Sequence, residues 1–272
     1  MKYYLFPKEF GDVSVDRLME LCVKMGFDGP TALVRDGYQL SDSNLKTALA
    51  EYVKTAQKHG LSVTYAQTGL QMKGLSADNQ TLKALADGGI TQVRTGMMGK
   101  DVVPDYRMLD DYLKRAVADA ENAARANKIQ LVVQIHGNLY PHNATAVWNA
   151  VKDSDPRYIG IKLDPGNNLV FEGYERFDYQ IRLLRDYIVA VGVKDAAILQ
   201  TPGVTGGAKG WHRRFVPVTK GMTDWKLILS ELRSQNFTGP LVFMPFFEAA
   251  DRDELIRVIT EEVQFMKEQE SL

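Results

Sequence analysis

Short apolar runs bounded by Gly, Pro or Asp alternate along the chain with longer segments whose apolar residues recur at helical spacing. The runs predict strands near 3–6, 30–34, 61–66, 91–95, 129–135, 158–163, 188–194 and 239–244. The periodic segments predict helices near 14–26, 42–59, 77–88, 106–127, 143–152, 177–187, 222–235 and 251–268. Glycines in "GFDG" and "GLS" stand where a helix closes in the left-handed conformation. Ser, Asp or Thr in "SDSNLKTAL" and "TDWKLIL" are candidate N-caps. Strict alternation of eight strands with eight helices is the pattern of a (β/α)8 TIM barrel, read as a single domain over 1–272. An open doubly wound sheet would need a glycine-rich phosphate turn after the first strand, and "LFPKEFGDVS" holds no G-x-G-x-x-G. One stretch breaks the rhythm. Residues 196–221 read as a long irregular loop, and such loops are commonly functional.

A barrel of this kind carries its active site where the strands end, so polar residues on the inward face there matter most. Side chains alternate along a strand. In "LVVQIHGN" Gln134 and His136 therefore share a side, as do Lys162 and Asp164 in "IGIKLDPGNN". Gly192 and Lys194 share one in "VAVGVKDA", Gln92 and Arg94 in "TQVRTG", and Arg35 ends the second strand. The bland reading is a buried charge network with Asp164 as counter-ion, and Asp195 as a cap for the next turn. A ligand site is the sharper one, because Lys, Arg, Asp and His are rarely buried without a partner. These groups suit acid–base chemistry beside a carbonyl. His136 moves a proton, Lys194 and Arg94 meet an oxyanion, and Gln134, Asp164, Asn167 and Lys162 hold hydroxyls. The 196–221 segment adds Lys209, His212, Arg213, Arg214 and Lys220 among glycines, a candidate clamp for an anion or else a solvated loop. Trp211 within it has the flat face that stacks on a sugar ring, whereas Trp148 and Trp225 fall in helical pattern and read as packing.

Composition narrows the classes. The formal net charge is −1, so no global field draws the chain to nucleic acid or an anionic membrane. The single cysteine, Cys22, lies on an apolar helix face and reads as a buried small hydrophobe. No apolar run approaches the roughly 18 residues of a membrane span, and no signal-peptide pattern opens the chain, so a cytoplasmic protein is the expectation.

In order and spacing, "GFDGPTALVRDGYQL", "VRTG", "VVQIHGN", "IGIKLDPGNN", "GVKDA", "VPVTKGMTDW" and "GPLVFMPFFE" resemble the xylose isomerase-like barrel superfamily of sugar isomerases and epimerases. The resemblance covers nearly the whole chain and implies isomerisation or epimerisation of a sugar, sugar phosphate or sugar acid, with a lyase or dehydratase as a variant. It also implies a divalent metal (Mn, Mg or Zn) held by Glu, Asp, His and Glu on strands five to eight. Here Gln134, Asp164, Gly192 and Met244 stand at those positions, with Glu248 four residues beyond the last, and Lys220 replaces an acid in "TKG". A hard cation needs several oxygen ligands, so no tight catalytic metal is expected; Asp164 with His136 is the weak candidate pair. "QIHG" is similar to a branch of the superfamily that has lost the first Glu.

A carbohydrate-binding barrel without turnover is the alternative. A hydrolase like endonuclease IV fits less well, because its several zinc ions need many His, Asp and Glu ligands and the chain has four histidines. The expected partner is a small-molecule carbohydrate, with no nucleic acid and no membrane; a homo-oligomer is left open.

Overall fold

The computed structural model of the chain describes residues 1–96, 98–137, 139–172, 175–200 and 210–271, and of Glu172 the backbone alone. One parallel sheet runs through the centre. Its strands are Lys2–Leu5, Gly29–Pro30 continued as Ala32–Leu33, Tyr65–Gln67, Gln92–Arg94, Gln130–Gln134, Ile159–Leu163, Ile188–Val193 and Pro240–Phe243. The first strand pairs with the eighth on one side and the second on the other, and the rest follow in sequence order. The second strand is interrupted at Thr31, whose N–H donates to the Leu5 carbonyl at 2.8 Å and carries the ring across the gap. Each strand is followed by a helix: Val15–Met25, Leu45–Lys58, Gln80–Asp87, Leu109–Asn127, Ala144–Val151, Phe177–Leu184, Trp225–Ser234 and Arg252–Ser271. The architecture is the (β/α)8 barrel that the alternation predicts. No described helix is long and apolar enough to cross a membrane.

Local signals explain the first helix. Ser14 accepts from the Arg17 N–H, Leu18, Met19, Leu21, Cys22 and Met25 form the buried face, and Gly26 ends it at φ +84°. Cys22 is buried as expected. The second helix begins later than its Ser/Asp pattern suggests, at Leu45, and Asn44 spends its Oδ1 on the Ser41 N–H rather than on the helix.

Two apolar layers result. Leu131, Val133 and Ile135 of the fifth strand, and Ile159, Ile161 and Leu163 of the sixth, face the helices. Tyr4, Leu33, Tyr65, Val132, Ala190, Val242 and Met244 fill the barrel itself. Each buried Leu, Ile or Val contributes about 1.5–3 kcal/mol by leaving water. The alternation thus sends Gln134, Lys162, Gly192 and Arg94 inward, toward the level where the strands end.

The 196–221 segment is where the expectation needs correcting. Asp195–Gln200 and Trp211–Val216 pair as an antiparallel hairpin, with Val216 opposite Asp195 and Trp211 opposite Gln200. Most of its side chains are solvated, so no buried face marked it as a strand pair. Gly203, Gly206, Gly207 and Lys209 of the expected anion clamp lie outside the described residues.

Candidate functional site

Strand register brings the inward polar residues into one level. Gln67 pairs with Arg94, Gln134 with Lys162, and Lys162 with Ala190. Asp164 then ends the sixth strand, fully buried, as the cap of the turn Pro165–Asn167. Its Oδ2 accepts from Gln134 Nε2 at 2.5 Å and Asn167 Nδ2 at 2.9 Å, and its Oδ1 from the Asn167 N–H at 3.0 Å. Lys194, just past the end of the seventh strand, lies 3.3 Å from Oδ2 and donates to Asn167 Oδ1 at 2.6 Å. Gly166 makes this approach possible, because a Cβ there would stand 2.6 Å from Lys194 Cγ. The carboxylate is fixed on all sides, as a charge buried away from water must be.

Lys162 is the unusual member. It is wholly buried, and its Nζ donates to the Met244 thioether at 3.0 Å, a weak acceptor. Among the described residues no carboxylate oxygen lies within 4.0 Å of it; the ion pair of Asp164 goes to Lys194. Burial pushes its pKa down to about 7, Asp164 opposes that shift, and Lys194 and Arg94 add to it. Burial likewise lowers the pKa of Lys194, against the pull of Asp164, and that of Arg94. Gly192 leaves the space that Lys162 occupies: a Cβ there would lie 3.2 Å from Lys162 Cε and 3.4 Å from Asp164 Oδ2.

Arg94 donates from Nη1 to the Thr95 carbonyl at 2.7 Å, while its buried Nε has no partner among the described residues. Tyr65 and Gln67 of the third strand reach the same interior. The Tyr65 hydroxyl and Gln67 Oε1 are also buried without partners among the described residues, although Gln67 Nε2 donates to Thr31 Oγ1 at 3.2 Å. These two residues carry the inward-facing signal of "TYAQT", hidden because the strand runs over Tyr65–Gln67 rather than 61–66.

His136 is half-buried above this level. Its Nδ1 lies 2.6 Å from the Gly137 carbonyl. A carbonyl only accepts, so Nδ1 carries the proton and Nε2 keeps the free lone pair of a neutral ring. Burial lowers its pKa, against that hydrogen bond and Asp164, and favours the neutral form. The ring stacks on Phe171, centroids 5.2 Å apart, within the π-helical turn Asn168–Glu172. Phe215 of the hairpin and Phe246 cover Lys194 at 4.9 and 5.0 Å. Phe171, Phe215 and Phe246 are thus the aromatic wall beside the cluster. Trp211 stands four residues from Phe215 on the hairpin, half exposed, and Arg35 is exposed at the rim over Tyr38. Asp195 turns away to accept from Thr223 Oγ1 at 2.8 Å and Trp225 Nε1 at 2.9 Å, which anchors the hairpin base. A surface groove of about 780 Å³ past Ile256, Thr260 and Phe265 lies on the outer face of the C-terminal helix and holds none of these groups.

The divalent ion that the resemblance implies does not fit this donor set. Its four positions offer an amide, a carboxylate already holding three partners, a glycine and a thioether, and the Lys162 ammonium stands beside the thioether. A second cation there would face the first.

A family model for the xylose isomerase-like TIM barrel matches residues 19–269. No curated protein sequence matches the chain significantly. Among solved structures, L-ribulose 3-epimerase superposes with a TM-score of 0.74 at 17% identity, covering 99% of this chain and 94% of that one. D-psicose 3-epimerase from Clostridium cellulolyticum H10, solved with D-tagatose, gives 0.73 at 14%, covering 99% of each chain. The 3-keto-D-glucoside 4-epimerase from E. coli gives 0.69 at 16%, covering 98% and 99%. At such identities the likeness is one of fold, and with the family model spanning most of the sequence, the chain belongs to the xylose isomerase-like TIM barrel family.

Proposed function

We propose that the chain isomerises or epimerises a sugar or sugar derivative by moving a proton on the carbon beside a carbonyl, without a tightly bound divalent ion. The observation that carries this is His136, whose Nδ1 is held by the Gly137 carbonyl so that Nε2 offers its lone pair, together with the buried cations Arg94, Lys162 and Lys194. Nε2 takes the proton from carbon, and the electron pair moves onto the carbonyl oxygen as an enolate. Lys194 and Arg94 stabilise that oxyanion in a water-poor site, where fixed charges act strongly. Return of the proton from Nε2 to the neighbouring carbon gives the isomer, whereas the epimer needs a second acid that protonates the enolate from the opposite face while His136 keeps the proton it took. Asp164, Gln134 and Asn167 hold hydroxyls, and Lys162 lends its charge from beneath. The sugar epimerases of the same fold support the reaction class.

The test is His136→Asn. Exchange of substrate carbon-bound hydrogen with D2O, read by NMR, is expected to fall about 10²–10⁴-fold with the unfolding transition unchanged. Unaltered exchange sinks the role. A carbohydrate-binding barrel without turnover is the second reading, favoured by the changes at three of the four metal positions. It expects sugar binding with no exchange in the parent chain.

A further inference from the structure

The cluster is unbalanced in charge. Arg94, Lys162 and Lys194 are buried together, and Asp164, whose ion pair goes to Lys194, is the buried carboxylate beside them among the described residues. Among the described residues the other acids nearby do not restore the balance. Asp195 is committed to Thr223 and Trp225, Glu262 accepts from the Val218 N–H, and Glu248 is exposed. Lys8, over Phe246 at 4.8 Å, adds a further cation at the rim. Even with Lys162 neutral, Arg94 and Lys194 outnumber Asp164. A buried cation without a counter-charge costs several kcal/mol, and a ligand that brings the charge removes the cost. A neutral sugar does not bring it.

The unpartnered atoms say where the charge would go. Thr95 fixes the Arg94 plane through Nη1, and Nε is left without an acceptor. The Tyr65 hydroxyl, electrostatically coupled to Arg94, is a second buried donor without one. Gln67, beside Arg94 in register, keeps its Oε1 free as an acceptor for a hydroxyl. A planar fork and a phenol suit a flat monoanion, whereas a tetrahedral dianion takes several backbone N–H donors.

Resting on the proton-transfer reading above, we infer that the substrate is a sugar acid, its carboxylate against Arg94 and Tyr65 and its first hydroxyl against Gln67. On this placement Arg94 neutralises the carboxylate, and Lys194 faces the oxygen that becomes the enolate. Neutralisation matters chemically, because a proton next to a bare carboxylate is hard to remove.

Calorimetry on the full chain tests this with D-gluconate and D-glucuronate against D-glucose, D-fructose and D-fructose 6-phosphate. The acids are expected to bind at least about tenfold tighter than the neutral sugars, the worth of one charge-assisted contact. Arg94→Gln should abolish that preference and Arg94→Lys retain part of it, with melting temperatures checking the fold. Tyr65→Phe, which removes one oxygen, should weaken acid binding several-fold even if the Arg94 variants do not fold. Neutral sugars binding as well as the acids, or neither acid binding, overturns the inference; preference for D-fructose 6-phosphate overturns the carboxylate. Acid preference without deuterium exchange in any bound sugar leaves this inference standing and sinks the proton-transfer reading instead.

Discussion

The two ends of the barrel interior treat polar groups in opposite ways. Near the strand starts, the Tyr4 hydroxyl meets Ser62 Oγ at 3.0 Å and Thr64 Oγ1 at 2.9 Å. Gln92 Nε2 donates to Gln130 Oε1 at 2.8 Å, and Gln130 Nε2 to the Pro156 carbonyl at 2.6 Å. Those groups are neutral and satisfy one another. Near the strand ends, cations outnumber the carboxylate, and Arg94 Nε, Tyr65 OH and Gln67 Oε1 stay open. The same eight strands therefore build a floor whose polar groups are paired and a charged ceiling that leaves buried polar atoms unpaired. Polar residues alone do not mark a site; unpaired polar atoms and uncompensated charge do.

Asp164→Ala strikes the ceiling hardest. It strands Lys194, Gln134 and Asn167 without their acceptor, and a loss of about 3–5 kcal/mol in urea unfolding is expected. A loss under about 1 kcal/mol would mean the carboxylate is not the counter-ion of the cluster.

Lys162→Met should act in the other direction. Lys162 titrates at about 7 in the fold against 10.5 when unfolded. Between those values the unfolded chain binds the additional proton, so stability rises with pH across the window and is lost as pH falls through about 7. The variant should be more stable than the parent at pH 7 by about 1–4 kcal/mol and show a flatter rise toward pH 10. Equal slopes in denaturant titrations across that range would place a counter-charge beside Lys162.

Gln92→Leu at the floor should have the smallest effect. It leaves Gln130 Oε1 without its donor, for about 1 kcal/mol of stability, and ligand affinity by calorimetry should not change. A change in affinity would mean that the two ends communicate.

The barrel was legible because each strand carries an apolar run and each helix an apolar stripe. The inward pairs Gln134/His136, Lys162/Asp164 and Gly192/Lys194 were legible because a strand has a period of two. Contacts between distant residues were not. The choice of Lys194 rather than Lys162 as partner for Asp164 depends on strand register and on Gly166. Phe215 owes its place to the hairpin, whose solvated faces carry no burial pattern, and Gln67 to a third strand that runs past residue 66.

Gly192 limits what a single substitution can supply at this strand end. A histidine there, the ligand that the family resemblance implies, would begin with a Cβ 3.2 Å from Lys162 Cε and push its ring toward the lysine stem. Single substitution at 192 therefore damages the packing before it can supply a ligand. A shorter residue at 162 and an acid at 244 would be needed as well, so no single substitution builds a divalent site here. The lysine, packed between Gly192 and Met244, therefore bars a one-step gain of a histidine ligand at this strand end.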